Sequence, residues 1–267
     1  MDKHKLQHKA NWLRQQAIEL VIKTKKGHIG GALSCADILV GLYYGGLLKF
    51  DSNKPFWSKR DRFILSKGHA CVALYPILQD LGFITTETLN SFCEEGSLLC
   101  NHPDNTIPGI EVSTGSLGNG LGVGVGIALA GKLDKESYNT FVVVGDGECY
   151  EGVVWEAIQF AGHHKLSNLI VIVDRNKQCV TDFTYNCSCL EPFEDKWKAF
   201  NWETKVIDGH CFDDIINIKN NSDKPLVVIA NTIKGKGVSF MEGQLDWHHG
   251  VPTEQELSII KKELSWI

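Results

Sequence analysis

Asp146, in Gly145-Asp146-Gly147-Glu148, and Asn176, thirty residues further on, are the two residues of this chain best suited to chemistry. A carboxylate and a carboxamide are hard oxygen donors, which Mg²⁺ takes in octahedral geometry and which Ca²⁺ or Mn²⁺ also accepts. Mg²⁺ keeps part of its shell for water and phosphate oxygens, so a few protein ligands are enough to fix it on a diphosphate. The flanking glycines let a charged ligand come close to the backbone. Each of the two residues follows an apolar run that reads as a buried strand, 141–144 and 169–174. The pattern describes a metal–diphosphate site at the carboxyl ends of two strands.

The surrounding elements must position that pair. Helical apolar spacing over 11–24 (Trp12, Ala17, Ile18, Val21, Ile22) predicts a helix ending near Gly27. Ser34 reads as the N-cap of a buried helix over 35–48. A short strand over 62–65 leads to Ser66-Lys67-Gly68-His69, then helices over 70–80 and 86–93, then a loop over 101–114 holding Pro103 and Pro108. The glycine-rich segment 115–132 is predicted to be a helix packed very close to its neighbours. Each helical glycine costs about 1 kcal/mol, so such a helix needs a packing or ligand reason. A helix over 152–163, a loop over 176–195, strands over 204–208 and 226–231, a helix over 212–218, a glycine-containing loop over 234–250 and a terminal helix over 254–264 complete the chain. Strands alternating with helices predict an α/β fold, a doubly wound, mostly parallel sheet with helices on both faces. No repeat or Pro/Ser-rich linker divides it, so 1–267 is expected to be a single domain.

Composition removes several classes. The 267 residues are 43% hydrophobic and 22% charged with a net charge of −5, ordinary for a globular α/β chain. No basic patch predicts a nucleic-acid partner. No apolar window is long enough to span a membrane, and no apolar run follows the basic start. A cytoplasmic location is expected. The nine cysteines are scattered without a CxxC pair, so free, mostly buried thiols are expected rather than a zinc site or a disulfide framework. A dinucleotide fingerprint fails in every register of the glycine run, because Val123, Val125 or Ile127 stands where Gly or Ala is needed. No GxxxxGK[ST] occurs either.

The span Gly145-Asp146-Gly147-Glu148 … Asn176-Lys177-Gln178 resembles the diphosphate-binding motif of thiamine-diphosphate enzymes. The resemblance implies side-chain ligands to Mg²⁺ from Asp146 and Asn176, a backbone carbonyl from Gln178, and a Gly147 N–H aimed at a phosphate. Four further motifs narrow the family: Gly27-His28-Ile29-Gly30-Gly31, Ser66-Lys67-Gly68-His69, Asn101-His102-Pro103 and Trp247-His248-His249-Gly250. Their order around Gly115-Ser116-Leu117-Gly118-Asn119-Gly120 resembles transketolase, over about residues 10–260. This likeness implies a substrate channel lined by His28, His69, His102 and His248. His28 and His102 would meet the donor hydroxyls, with His69 and His248 near the reacting carbonyl and the diphosphate. His249 is the weaker neighbour of His248. Glu151 and Glu156 would lie near a subunit contact and its proton network. Gly115, Ser116, Leu117, Gly118, Gly147, Glu148 and Lys234 would join the cofactor site, and Lys67 and Lys234 would offset phosphate charge. The implied reaction moves a two-carbon ketol (glycolaldehyde) unit from a ketose, a sugar phosphate or related sugar, to an aldose.

Two departures stand out. Many transketolases have proline where this chain has Ile29, which is expected to alter the channel mouth and leaves the sugar open. Full-length members also continue into pyrimidine-binding and C-terminal domains. The likeness therefore implies the N-terminal subunit of a split transketolase, inactive until a second polypeptide supplies those domains, with α₂β₂ as the expected assembly. Competing readings are the α subunit of a 2-oxoacid dehydrogenase, a deoxyxylulose-phosphate synthase fragment, and an orphan cofactor-binding domain. The four histidines argue against the first, and the intact Asp146–Asn176 pair against the last.

Overall fold

The computed structural model describes residues 2–265; Met1, Trp266 and Ile267 of the expected 1–267 domain lie outside the described residues. Five strands, β1 (Arg62–Leu65), β2 (Thr140–Gly145), β3 (Leu169–Arg175), β4 (Glu203–Asp208) and β5 (Leu226–Asn231), form one parallel sheet in the order β1-β2-β3-β5-β4. To within a residue at each end, these are the expected strands. Side chains alternate across the sheet. Phe63, Leu65, Phe141, Val143, Ile170, Ile172 and Val228 pack on one face; Ile64, Val142, Val144, Val171, Val173, Val227 and Ile229 pack on the other. A strand buried on both faces needs the unbroken apolar runs that the sequence shows.

Helices cover both faces. Helix α1 (Lys3–Thr24) starts eight residues earlier than expected, because Leu6 and Ala10 continue the buried stripe of Leu13, Ala17, Ile18 and Val21 through a stretch that looks polar. Asp2 caps it by accepting the Lys5 N–H. Instead of one helix capped by Ser34, two short ones follow, α2 (Ile29–Ser34) and α3 (Ala36–Tyr44). Ser34 ends the first: its hydroxyl is buried and donates to the Gly31 carbonyl and to Asp174. Helix α4 (Cys71–Asp80), preceded by a 3₁₀ turn at Gly68–Ala70, and the short α5 (Thr86–Asn90) complete this side. Arg14 on α1 and Asp37 on α3 form a fully buried pair at 2.5 Å.

On the opposite face lie α6 (Asn119–Leu133), α7 (Gly152–His163), the four-residue α8 (Thr184–Cys187) and α9 (Phe193–Ala199). The last two occupy part of a span expected to be loop; Trp197 of α9, fully buried against Trp155 and Trp202, is what anchors it. The short α10 (Phe212–Ile215) and the terminal α11 (Glu254–Glu263), opened by a Thr253/Glu256 capping box, finish the chain. No helix among the described residues is long and apolar enough to cross a membrane.

The glycine-rich helix begins at Asn119; residues 115–118 are a loop, with Gly118 held at φ 85°. Close packing explains only some of its glycines. A Cβ would meet Ser66 at Gly120 and Val142 at Gly124, whereas Gly122 and Gly126 face open space. A sharper packing constraint lies on α7, where a Cβ at Gly162 would stand 1.8 Å from the Phe200 carbonyl. Gly162→Ala is expected to cost about 1–3 kcal/mol by overpacking, measured as a lower midpoint in urea. An unchanged midpoint would mean that the Phe200 backbone gives way freely.

Candidate cofactor and active site

Much of the candidate site leaves the carboxyl edge of the sheet, where ligands of open α/β sheets bind. Ser66 and Lys67 follow β1, Asp146 follows β2, Asp174 and Asn176 close β3, and Thr232 and Lys234 follow β5. They converge on a cavity of about 150 Å³ lined by Gly31, Lys67, His69, Leu117, the 145–148 turn, Asn176, Gln178, Cys179, Val180, Lys234 and His248.

Asp146 is buried and accepts the Gly147 N–H at 2.9 Å and the Lys177 N–H at 2.7 Å. No cation among the described residues pairs with it directly. Burial, and then the nearby Asp174 carboxylate, push its pKa up to about 7. Asn176 turns its Oδ1 to the Gln178 N–H at 3.1 Å and donates to Ser34. The Gln178 side chain donates to the Gly243 carbonyl at 2.7 Å, and its buried Oε1 has no partner. The Gln178 backbone carbonyl lies 3.8 Å from the Cβ position of Gly147, next to Asp146 in the chain.

A second charged layer lies beneath. Lys67 is fully buried and donates to Asp174 at 2.5 Å and to the Gly31 carbonyl at 2.9 Å. Burial alone would lower the Lys67 pKa, but Asp174, with Cys35 and Asp146 behind it, outweighs burial and raises it. Asp174 also accepts from Ser34 and Thr232. Lys67, expected to answer phosphate charge, is thus first committed to Asp174, a residue that sequence reasoning passed over. The signal was present: one carboxylate ending an otherwise apolar strand. Lys234 donates to the Cys179 carbonyl at 2.8 Å, and burial, then Lys67, lower its pKa to about 8. It is the cation still available to an anionic ligand.

Glu148 faces inward, but its oxygens are taken. One accepts from Ser66 at 2.5 Å and the Gly118 N–H at 2.8 Å, the other from the Gly145 N–H at 3.0 Å. Its role is to tie the 115–118 loop to the 145–148 turn. That loop is seated on two neighbours: a Cβ at Gly115 would meet the His102 ring, and one at Gly118 would meet Val153 and Glu151. Ser116 is exposed, and Leu117 lines the cavity.

The histidines gather above. The His28 ring lies 5.1 Å from His69, 6.0 Å from His102, 5.3 Å from His248 and 3.8 Å from His249. What brings the last two near is α2 packing on the 245–250 turn, where a Cβ at Gly30 would stand 2.5 Å from the Trp247 carbonyl. His69 and His248 line the cavity, while His28 and His102 stand further out. His249 is exposed and donates its Nδ1–H to the Gly27 carbonyl at 3.2 Å, so His248 faces the cavity. Ile29 does not shape the mouth: its side chain is fully buried in the core beside α1 and α4.

Burial and the repulsion of neighbouring charges keep His28, His69 and His248 neutral. The pKa falls to about 4 at His28, through burial and then His249, and to about 3 at His248, through burial and then Lys234. His69 is likewise held well below the ordinary value by burial and then Lys67. Below the ordinary value of 6.5 the unfolded chain takes up protons that the folded His28 and His248 refuse. Their stabilisation is present above that value and is lost as pH falls through about 4. The melting temperature is therefore expected to drop from pH 7 towards pH 5, and less steeply in a His28→Asn/His248→Asn variant. Parallel profiles for the two proteins would contradict neutral, buried imidazoles.

Residues 5–267 match the family described as transketolase, thiamine diphosphate binding domain. The chain belongs to the transketolase family. It is 44% identical over 256 residues to one of the subunits of the apulose-4-phosphate transketolase of Phocaeicola vulgatus, covering 94% of this chain and 91% of that protein. The 6-deoxy-6-sulfo-D-fructose transketolase subunit SqwG of Clostridium sp. is 42% identical, covering 94% and 92%. Among solved structures, transketolase from Campylobacter jejuni superposes with a TM-score of 0.92 at 33% identity; the match covers 99% of this chain and 43% of that one. The chain thus spans nearly all of the two subunits and less than half of that transketolase. The remaining expected transketolase residues, Glu151 and Glu156, are exposed at the start of α7 and do not line the cavity. Glu151 backs on Gly118. Around them α6 and α7 expose Val123 at 41% and Phe160 at 43%.

Proposed function

We propose that this chain is the N-terminal, diphosphate-holding subunit of a two-chain transketolase. The observation that carries this reading is four imidazoles, three of them held neutral by burial, standing over the strand-end pair Asp146–Asn176. The residues fit a Mg²⁺–diphosphate. Asp146 is a buried carboxylate with no directly paired cation among the described residues, Asn176 and Gln178 line the same cavity and could add oxygens, and Lys234 is poised for phosphate charge. Thiamine diphosphate, when bound, supplies the electron sink for cleaving the bond beside a ketose carbonyl.

The chain's own residues then bind and move protons. Asp146, Asn176 and Gln178 would hold the metal; Lys234 would meet phosphate oxygens, joined by the Gly147 N–H once the metal draws Asp146 away from it. Leu117 and the 115–118 loop give the cofactor a wall. Neutral imidazole both donates and accepts, so His69 and His248 suit the reacting carbonyl, and His28 and His102 suit hydroxyls whose protons move during cleavage. The outcome is transfer of a two-carbon ketol unit from a ketose to an aldose. The relatives named for apulose 4-phosphate and 6-deoxy-6-sulfo-D-fructose support a donor sugar with an anionic far end.

The partner is the part of the reading that the site itself calls for. A cavity of about 150 Å³ is below the roughly 300–1,000 Å³ of a complete small-molecule site and suits the diphosphate end alone. Relatives of matching length carry subunit names. A second chain with pyrimidine-binding and C-terminal domains would complete the site, seated near Glu151, Glu156 and the open face of α6, in an α₂β₂ assembly in the cytoplasm. The single domain of this chain would serve the diphosphate only. The family match disfavours the α subunit of a 2-oxoacid dehydrogenase.

The test is a coupled assay of glycolaldehyde transfer with the chain alone, with candidate partner chains, and with both. Turnover in the ordinary enzymic range, about 1–10³ s⁻¹, is expected only for the mixture. Such turnover by the homogeneous chain alone would overturn the split-subunit reading.

A further inference from the structure

Only three of the nine cysteines, Cys35, Cys71 and Cys149, are buried, contrary to the expectation of mostly buried thiols. Two of the others are in contact: the sulfurs of Cys179 and Cys187 stand 2.8 Å apart, closer than van der Waals contact. Main-chain bonds impose that approach. Thr184 N–H donates to the Lys177 carbonyl at 2.9 Å, Cys179 N–H to the Asp182 carbonyl at 2.9 Å, and Cys187 N–H to the Phe183 carbonyl at 3.2 Å. Gln178 and Phe183 pair as an antiparallel bridge. The segment is therefore a closed loop with one cysteine near each end, and Cys187 is exposed to solvent reagents. The same loop is a wall of the cavity. Gln178, Cys179 and Val180 line it, the Cys179 carbonyl holds Lys234, and the Cys179 Cβ lies 3.3 Å from the Cβ position of Gly147.

We propose that Cys179 and Cys187 are a reversible redox site, oxidised by a low-molecular-weight disulfide to an intramolecular disulfide that clamps the 178–187 loop. The Cys179 thiolate attacks one sulfur of the small disulfide and forms a mixed disulfide; the first small thiolate leaves with the bonding pair. Cys187 then loses its proton to solvent and attacks the Cys179 sulfur, forming the protein S–S bond and expelling the second small thiolate. Two electrons pass to the small disulfide, and the two thiol protons pass through solvent to the two small thiolates. The sulfurs need only close from 2.8 Å to about 2.05 Å. Burial pushes Cys35 and Cys71 up to about 12 and leaves them unreactive. Redox state thereby sets the mobility of a cavity wall, whichever anion the cavity holds.

The full chain, treated with oxidised glutathione, alkylated and digested, is expected to yield a Cys179–Cys187-linked peptide as its predominant disulfide, reversed by dithiothreitol. Amide hydrogen exchange over 178–187 is expected to slow by about tenfold on oxidation. Cys187→Ser, at an exposed position, should melt like the parent, keep glutathione on Cys179 and show no slowing. Recovery of both thiols alkylated after oxidation, a Cys187–Cys189 link instead, or unchanged exchange in the oxidised parent would each overturn the proposal.

Discussion

Asp146→Ala is expected to abolish Mg²⁺-dependent binding of thiamine diphosphate while the chain stays folded. The carboxylate is buried, its oxygens engage only two backbone N–H groups, and among the described residues no cation pairs with it directly. Such a group destabilises the ligand-free fold, since a buried charge is costly unless paired. Its removal should leave the melting temperature of the ligand-free chain unchanged or higher. Binding should fall by at least about 100-fold, because the metal loses its one charged protein ligand and the diphosphate its bridge. Calorimetry with Mg²⁺ and thiamine diphosphate, on the chain combined with its partner, reads the loss directly. An affinity equal to the parent's would remove Asp146 from the metal site, and with it the reading of the Asn176 and Gln178 oxygens as co-ligands.

Lys67→Met should produce the largest loss of stability. Lys67 and Asp174 are 2% and 0% exposed and 2.5 Å apart, on the turns after β1 and at the end of β3. Methionine keeps the apolar stem of the side chain and removes the charge. Asp174 would then be a buried carboxylate supported only by the Ser34 and Thr232 hydroxyls. Breaking a buried pair from one side costs about 3–5 kcal/mol, or roughly 10 °C in melting temperature for a chain of this size. The double variant Lys67→Met/Asp174→Leu should recover most of that loss, because it removes both charges. A melting temperature within a degree of the parent in the single variant would show that water reaches the pair.

Much of this architecture is legible in the sequence. Strands β1, β2, β3, β4 and β5 are all recovered because a strand buried on both faces writes itself as a continuous apolar run. What escapes is where the run is broken or disguised. The first turns of α1 hide behind lysines and histidines, since only Leu6 and Ala10 of that stretch face inward. Helix α9 is too short for periodicity to reveal, and it forms because Trp197 finds a tryptophan-lined niche. Ser34 resembles an N-cap by type, yet the tertiary partner Asp174 claims its hydroxyl.

The site divides the same way. Asp146, Asn176 and the four histidine motifs are visible because each sits in a fixed local frame, a strand end or a tight turn, so short spacing suffices to recognise them. That frame also carries the family, and with it the ketol-transfer reading. The sequence alone leaves open which of His248 and His249 faces inward, because neighbouring residues on one turn differ only in direction; the packing of Gly30 on Trp247 settles it. Nor does it show that Lys67 belongs first to Asp174, 107 positions away, or that Cys179 meets Cys187 against the cavity wall. Charge pairing and thiol contact depend on distances in space, and those are set by the order β1-β2-β3-β5-β4 and by loop closure, which no local pattern of residue types records.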